Sequence, residues 1–219
     1  MKKIAVCLSG CGFLDGAESH EAVLTLLAID QAGAAYVCCA PDVAQAGVVN
    51  HATHKPDSQG RNVLAESARI ARGEIKNVRD VKATEIDALI FPGGFGAAKN
   101  LCTFATDGAA CKVNADVERL TCEMLSAGKP IGAICIAPAL LARIVGKKDI
   151  HPSLTIGNDK LTASAINQMG AQHCDCAVTE MIVDERHKIV STPAYMLGKG
   201  PAEVFEGIRK LVGAVLKMA

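Results

Sequence analysis

The sequence predicts one α/β domain with helices packed on both faces of a mainly parallel sheet, and three observations carry that prediction. Short apolar runs alternate with segments of helical period, the order expected of a doubly wound sheet. Half of the 219 residues are apolar while only 3% are aromatic and Trp is absent, so Ala, Val, Ile and Leu must fill the core. No stretch rich in Pro, Ser or charge divides the chain, which makes residues 1–219 a single domain.

The elements follow in order. Residues 3–9 read as a buried strand, 10–16 as a loop, and 19–32 as a helix stopped by Gly33. Asp15 and Glu18 stand three residues apart in the manner of a capping box before that helix. Residues 35–40 form a second strand closed by Pro41, and 42–60 a short irregular or hairpin excursion. Residues 62–70 carry helical spacing, 73–83 read as a connecting segment, and 86–91 as a central strand ended by Pro92-Gly93-Gly94. A helix over 113–127 leads through Gly128 into a strand over 130–134, and a helix over 136–145 follows. Thereafter come a short strand over 154–156, a helix over 161–169, a hairpin around 184–187 and a C-terminal helix over 201–217 with Pro201 in its first turn.

Composition excludes several function classes. Lys plus Arg balance Asp plus Glu, 23 against 23, and no basic run is interleaved with aromatics, so no nucleic-acid partner is expected. The apolar run 131–142 contains Pro138 and falls short of the roughly 20 residues a membrane span needs, so no membrane association is expected. The N-terminal run 4–8 collapses at once into Ser9-Gly10-Cys11-Gly12 and reads as a first strand rather than a leader. The ten cysteines are scattered through apolar strands and helices, a pattern of reduced thiols that points to the cytoplasm. His173-Cys174-x-Cys176 and His51-x-x-His54 lack a second pair at zinc-like spacing, so no metal is expected.

In doubly wound sheets ligands bind beyond the carboxyl ends of the strands. Three loops there carry unusual residues: 9–21, 92–100 and 134–138. Gly132-Ala-Ile-Cys135-Ile-Ala-Pro138 sets a thiol between a short strand and an apolar helix, the layout of a nucleophile elbow. At a helix mouth the dipole and unpaired N–H groups lower a thiol pKa, and the N–H of Ile136 points where an oxyanion forms. The Pro92-Gly93-Gly94 turn can offer a second donor. Two readings of Cys135 stand at this point, a nucleophile and a buried structural cysteine. Two stand for Glu21 as well: a carboxyl held protonated on an apolar helix, fit for general acid–base work, or a solvated surface group. Gly10-Cys-Gly12-x-x-x-Gly16 is one residue too long for a dinucleotide loop, which leaves dinucleotide binding a weak alternative.

Ser9-Gly-Cys-Gly12, Asp15-Gly16, residues 20–28, Arg61-Asn-Val-Leu64, residues 92–101, Cys135-Ile-Ala-Pro138 and Thr192-Pro-Ala-Tyr-Met196 together carry a resemblance over essentially the whole chain. The sequence resembles the glutamine-amidotransferase-like superfamily that contains the PfpI peptidase-like proteins and the parkinsonism-associated deglycase, and within it the ElbB-type glyoxalases. The resemblance implies a flavodoxin-like three-layer sandwich, a homodimer, no cofactor, Cys135 as nucleophile and Glu21 as its carboxyl partner. Gly94 and Ile136 match the backbone oxyanion donors, and Cys11, Gly93, Asn100, Thr192 and Tyr195 are expected to line the pocket. Many relatives place a histidine about 20 residues after the cysteine, where this chain has Leu154-Thr-Ile-Gly-Asn158. That departure disfavours amide hydrolysis, which needs a positioned acid for the leaving amine. A small reactive aldehyde asks less, so the implied activity is conversion of glyoxal to glycolate through a cysteine hemithioacetal, extending to deglycation of proteins. A redox-sensing or partner-binding protein with an oxidisable Cys135, and an amidotransferase-like accessory subunit, are the alternatives.

Overall fold

The computed structural model describes residues 1–219 and contains a seven-stranded sheet between two helical layers. Within the sheet, β1 (Lys3–Cys7) pairs in parallel with β2 (Ala35–Ala40) on one side and with the middle strand β6 (Ala88–Phe91) on the other. β5 (Ile75–Asn77) extends the β2 edge, while β7 (Ile131–Ile134), β11 (Ile189–Thr192) and the antiparallel β10 (Ile182–Asp184) extend the β6 edge. This is the predicted α/β sandwich with a mainly parallel sheet.

Alternation along the strands builds two cores. Ala5, Cys7, Leu89, Phe91 and Ile131 face α5 (Ala115–Ser126) and α6 (Ala137–Gly146). Ile4, Val6, Ala88, Ile90 and Val190 face α1 (Ser19–Gln31), α2 (Val63–Ile70) and α8 (Pro201–Met218). Successive residues of one strand serve opposite layers, which is why the central strands read as unbroken apolar runs. The expected excursion at 42–60 contains a small hairpin, β3 (Val49–Asn50) with β4 (Lys55–Pro56). All ten cysteines are free thiols.

Several local expectations are corrected. Asp15 caps no helix: Glu18 is the N-cap of α1 and accepts the N–H of Glu21 at 2.6 Å, whereas Asp15 is buried and accepts the N–H of Val49 at 2.7 Å. Residues 75–77 form the edge strand β5 rather than a connection, because parallel pairing to β2 needs backbone groups and only one apolar side chain. The loop after β6 holds two short helices, α3 (Phe95–Lys99) and α4 (Phe104–Asp107). The strand near 154 is β8 (Ser153–Leu154), which leaves the main sheet and pairs with β9 (Gln172–His173) across α7 (Lys160–Gln168). β1, β6, β7 and β11 all point the same way, so the loops after Cys7, Phe91, Ile134 and Thr192 meet at one edge.

Candidate active site at the carboxyl edge of the sheet

Cys135 immediately follows β7, whose four residues are all buried, and precedes α6, whose N-cap is Ile136. Its φ of 61° lies in the left-handed region that side chains rarely adopt, the geometry of a strained strand-to-helix turn. The turn is held because the Cys135 N–H donates to the carbonyl of Thr192 on the neighbouring strand at 2.9 Å. The side chain sits at the floor of an open cleft with the residue only 7% exposed.

Glu21 is the first member of the buried stripe of α1 that continues through Thr25, Ala28 and Ile29, and it is wholly buried. Its Oε2 accepts the N–H of Gly93 at 2.9 Å, its Oε1 accepts the N–H of Tyr195 at 3.1 Å, and the carboxyl lies beside the Cys135 thiol, which favours its charged form. Burial pushes its pKa up to about 8, against the lowering effect of the Tyr195 N–H and with a smaller upward contribution from the Glu18 charge. The surface reading of Glu21 is therefore excluded. Gly93 is where the pieces touch: a Cβ there would stand 2.6 Å from Glu21 Oε2 and closer still to Cys135 Cβ.

The expectation of a depressed thiol pKa is corrected. Burial raises the Cys135 pKa well above its ordinary value, and the Glu21 charge raises it further. The N–H groups of Gly94 and Ile136 beside the sulfur pull the other way, but their effect is smaller than desolvation. Gly94, at φ 90°, takes a conformation that glycine alone adopts freely. Thiol and carboxyl act as a pair that loses its first proton near pH 8 and binds the second more tightly.

The cleft above Cys135 has a volume of about 490 Å³. Of the residues expected to line it, Tyr195 does so, together with Gly94, Ile136 and Cys135. Gly93 lies behind the pair, and Thr192 is buried with its hydroxyl donating to the carbonyl of Glu180 at 2.7 Å. Asn100 is a buried brace whose amide donates to the carbonyls of Ser9 and Asp15, each at 2.8 Å. Cys11 is half-buried with its sulfur 3.9 Å from the Ser19 hydroxyl. Cys11, Asn100 and Thr192 are outside the lining. The lining also includes Phe13, Phe95, Phe104, Glu18 and Thr162, none expected from sequence to line it. Lone aromatics in loops of an aromatic-poor chain were the available signal.

No histidine lines the cleft. His151 is exposed and turned to the Gly170 carbonyl at 2.6 Å, and His173 accepts the N–H of Ile156 at 3.3 Å. At the rim, His20 Nδ1 meets the Tyr195 hydroxyl at 2.8 Å.

Residues 2–192 match the DJ-1/PfpI family. The chain belongs to the DJ-1/PfpI family. It is 45% identical over 226 residues to the ES1 protein homolog, mitochondrial, of Rattus norvegicus, an alignment covering 99% of this chain and 84% of the relative. It is also 45% identical to the human glutamine amidotransferase-like class 1 domain-containing protein 3, mitochondrial, covering 99% and 83%. Among solved structures, an Ehrlichia chaffeensis isoprenoid biosynthesis protein with amidotransferase-like domain superposes with a TM-score of 0.93 at 34% identity, over 100% of this chain and 99% of the other. The glutamine-amidotransferase-like resemblance thus holds at the level of the superfamily. The cytoplasmic expectation is overturned, because these relatives, 45% identical over 99% of this chain, carry mitochondrial names; reduced cysteines speak to redox state and not to compartment.

Proposed function

We propose that this DJ-1/PfpI chain is a cofactor-independent, glutathione-independent glyoxalase of the ElbB type, in which Cys135 attacks an aldehyde and Glu21 carries the proton. The observation that supports this most is the buried Glu21 carboxyl held beside Cys135, with only Gly93 small enough to fit between them, at the floor of an open cleft. Once the pair has lost its first proton, the one that remains can sit on Glu21 while the sulfur attacks. In this reading the N–H groups of Gly94 and Ile136, which lower the thiol pKa, receive the oxyanion formed beside the sulfur.

Attack on glyoxal gives a hemithioacetal. Glu21 takes the proton from the carbon bonded to sulfur and returns it to the neighbouring carbon through an enediol, leaving a thioester that water cleaves to glycolate. The Tyr195 hydroxyl, held by His20, serves as the proton donor to the second oxygen. Burial and the nearby carboxylates Glu18 and Glu21 raise its pKa, which keeps the phenol protonated. Glycated side chains offer the same carbonyl chemistry, and the working unit is a homodimer in this reading. The absence of a cleft histidine weighs against glutaminase chemistry. The test is conversion of glyoxal to glycolate by the Cys135→Ala variant: activity is expected to vanish with the circular-dichroism spectrum unchanged, and undiminished turnover refutes the reading.

A further inference from the structure

We propose that the cleft above Cys135 takes an α-oxoaldehyde bearing an apolar, ring-sized substituent in preference to glyoxal; the inference rests on the glyoxalase reading. Glyoxal is two carbons and two oxygens, whereas a cleft of about 490 Å³ falls in the range of roughly 300–1,000 Å³ that suits much larger ligands. The chain has five Phe and two Tyr, and Phe13, Phe95, Phe104 and Tyr195 all line this one cleft, so the aromatic surface of the protein is concentrated where a substrate enters.

Two of these rings are exposed with no core to fill: Phe13 at 42% and Phe95 at 49%. Apolar surface left open at a reactive thiol gains free energy when a ligand covers it. Both rings are also fixed in place. The Phe95 N–H donates to the Phe13 carbonyl at 2.8 Å, the Phe13 ring meets His51 edge-on at 5.5 Å, and Lys99 Nζ lies 5.1 Å from the centre of the Phe95 ring. A wall held this way loses little freedom on binding. Glu18 is the only Asp, Glu, Lys or Arg lining the cleft, and a carboxylate there repels phosphorylated or carboxylated substrates. A neutral molecule with a reactive aldehyde at one end and an apolar body at the other satisfies all of these features.

The chemistry balances without an oxidant. Sulfur bonds to the aldehyde carbon, that carbon gives its proton to Glu21, the proton returns to the former ketone carbon, and water breaks the carbon–sulfur bond. One carbon is oxidised and its neighbour reduced, so R–CO–CHO and water become R–CH(OH)–COOH, and the thiol is restored.

The test compares kcat/KM for phenylglyoxal and glyoxal in the wild type, Phe95→Ala and Phe104→Ala, with Tyr36→Ala as a control outside the cleft. Phenylglyoxal is expected to be favoured by about tenfold or more, with the ratio falling toward one in both Phe variants and holding in the control. A wild-type ratio near one, or a ratio unmoved by both Phe variants, overturns the proposal. A second measurement separates the two levels of the reading: saturation-transfer NMR of benzyl alcohol with Cys135→Ala. Absence of turnover with either aldehyde sinks the glyoxalase reading and the substrate class with it, whereas turnover of glyoxal with no benzyl alcohol binding sinks the apolar-substituent inference alone.

Discussion

Glu21 Oε2 accepts the backbone N–H of Gly93 at 2.9 Å, tying the carboxyl of the first helix to the loop that follows the β6 strand. That bond and the Tyr195 N–H on Oε1 fix both carboxyl oxygens from the backbone, so the group's remaining interaction is with the Cys135 sulfur. A carboxyl positioned by backbone on two sides cannot swing to solvent, and its proton is confined to the pair.

Burial raises the Glu21 pKa from its ordinary 4.5 to about 8. Between those values the folded chain holds a proton that the unfolded chain releases. The stabilising effect of that proton is complete below pH 4.5 and is lost as pH rises through 8. Glu21→Gln removes the dependence, so urea midpoints of the wild type are expected to fall relative to the variant by the equivalent of roughly 1 kcal/mol per pH unit from pH 5 to 8. A constant difference across that window contradicts the assignment.

The left-handed backbone at Cys135 gives a second prediction. A residue with a Cβ is strained there and glycine is not, so Cys135→Gly is expected to be about 1 kcal/mol more stable than Cys135→Ala in equilibrium unfolding. Equal stabilities mean the elbow is unstrained.

Gly93→Ala forces a methyl group between Cys135 Cβ and Glu21 Oε2. Overpacking of this kind typically costs about 1–3 kcal/mol, and displacement of either partner removes activity as well. Thermal denaturation and glyoxal turnover read the two effects separately.

Tyr195→Phe keeps the backbone N–H that holds Glu21 and deletes only the hydroxyl that meets His20. A fall in kcat of about 10²-fold with little change in KM is expected of a lost proton donor. A purely structural hydroxyl leaves kcat where it was.

The sheet is legible because β2 and β6 are short apolar runs closed by Pro41 and Pro92, and Cys135 stands out because it directly follows the apolar run of β7. The β5 edge strand is not, since Ile75-Lys76-Asn77 pairs through backbone groups that leave no period in three residues. Asp15 satisfied the spacing of a cap, but a spacing rule does not register that the N–H of Val49, distant in sequence, takes the carboxylate instead. Asn100 and Thr192 belong to the motifs of the family and support the loops from below, which the motifs alone do not distinguish from lining a cleft. The thiol pKa was misjudged because a helix mouth is visible in sequence and the depth of burial is not.

The sharpest measurement is kcat/KM for glyoxal as a function of pH in the wild-type protein. If the active form is the Cys135–Glu21 pair carrying a single proton, the value climbs about tenfold per pH unit below pH 8 and levels above it. A profile that is flat or falling between pH 6 and 8 contradicts that pair as the reacting unit.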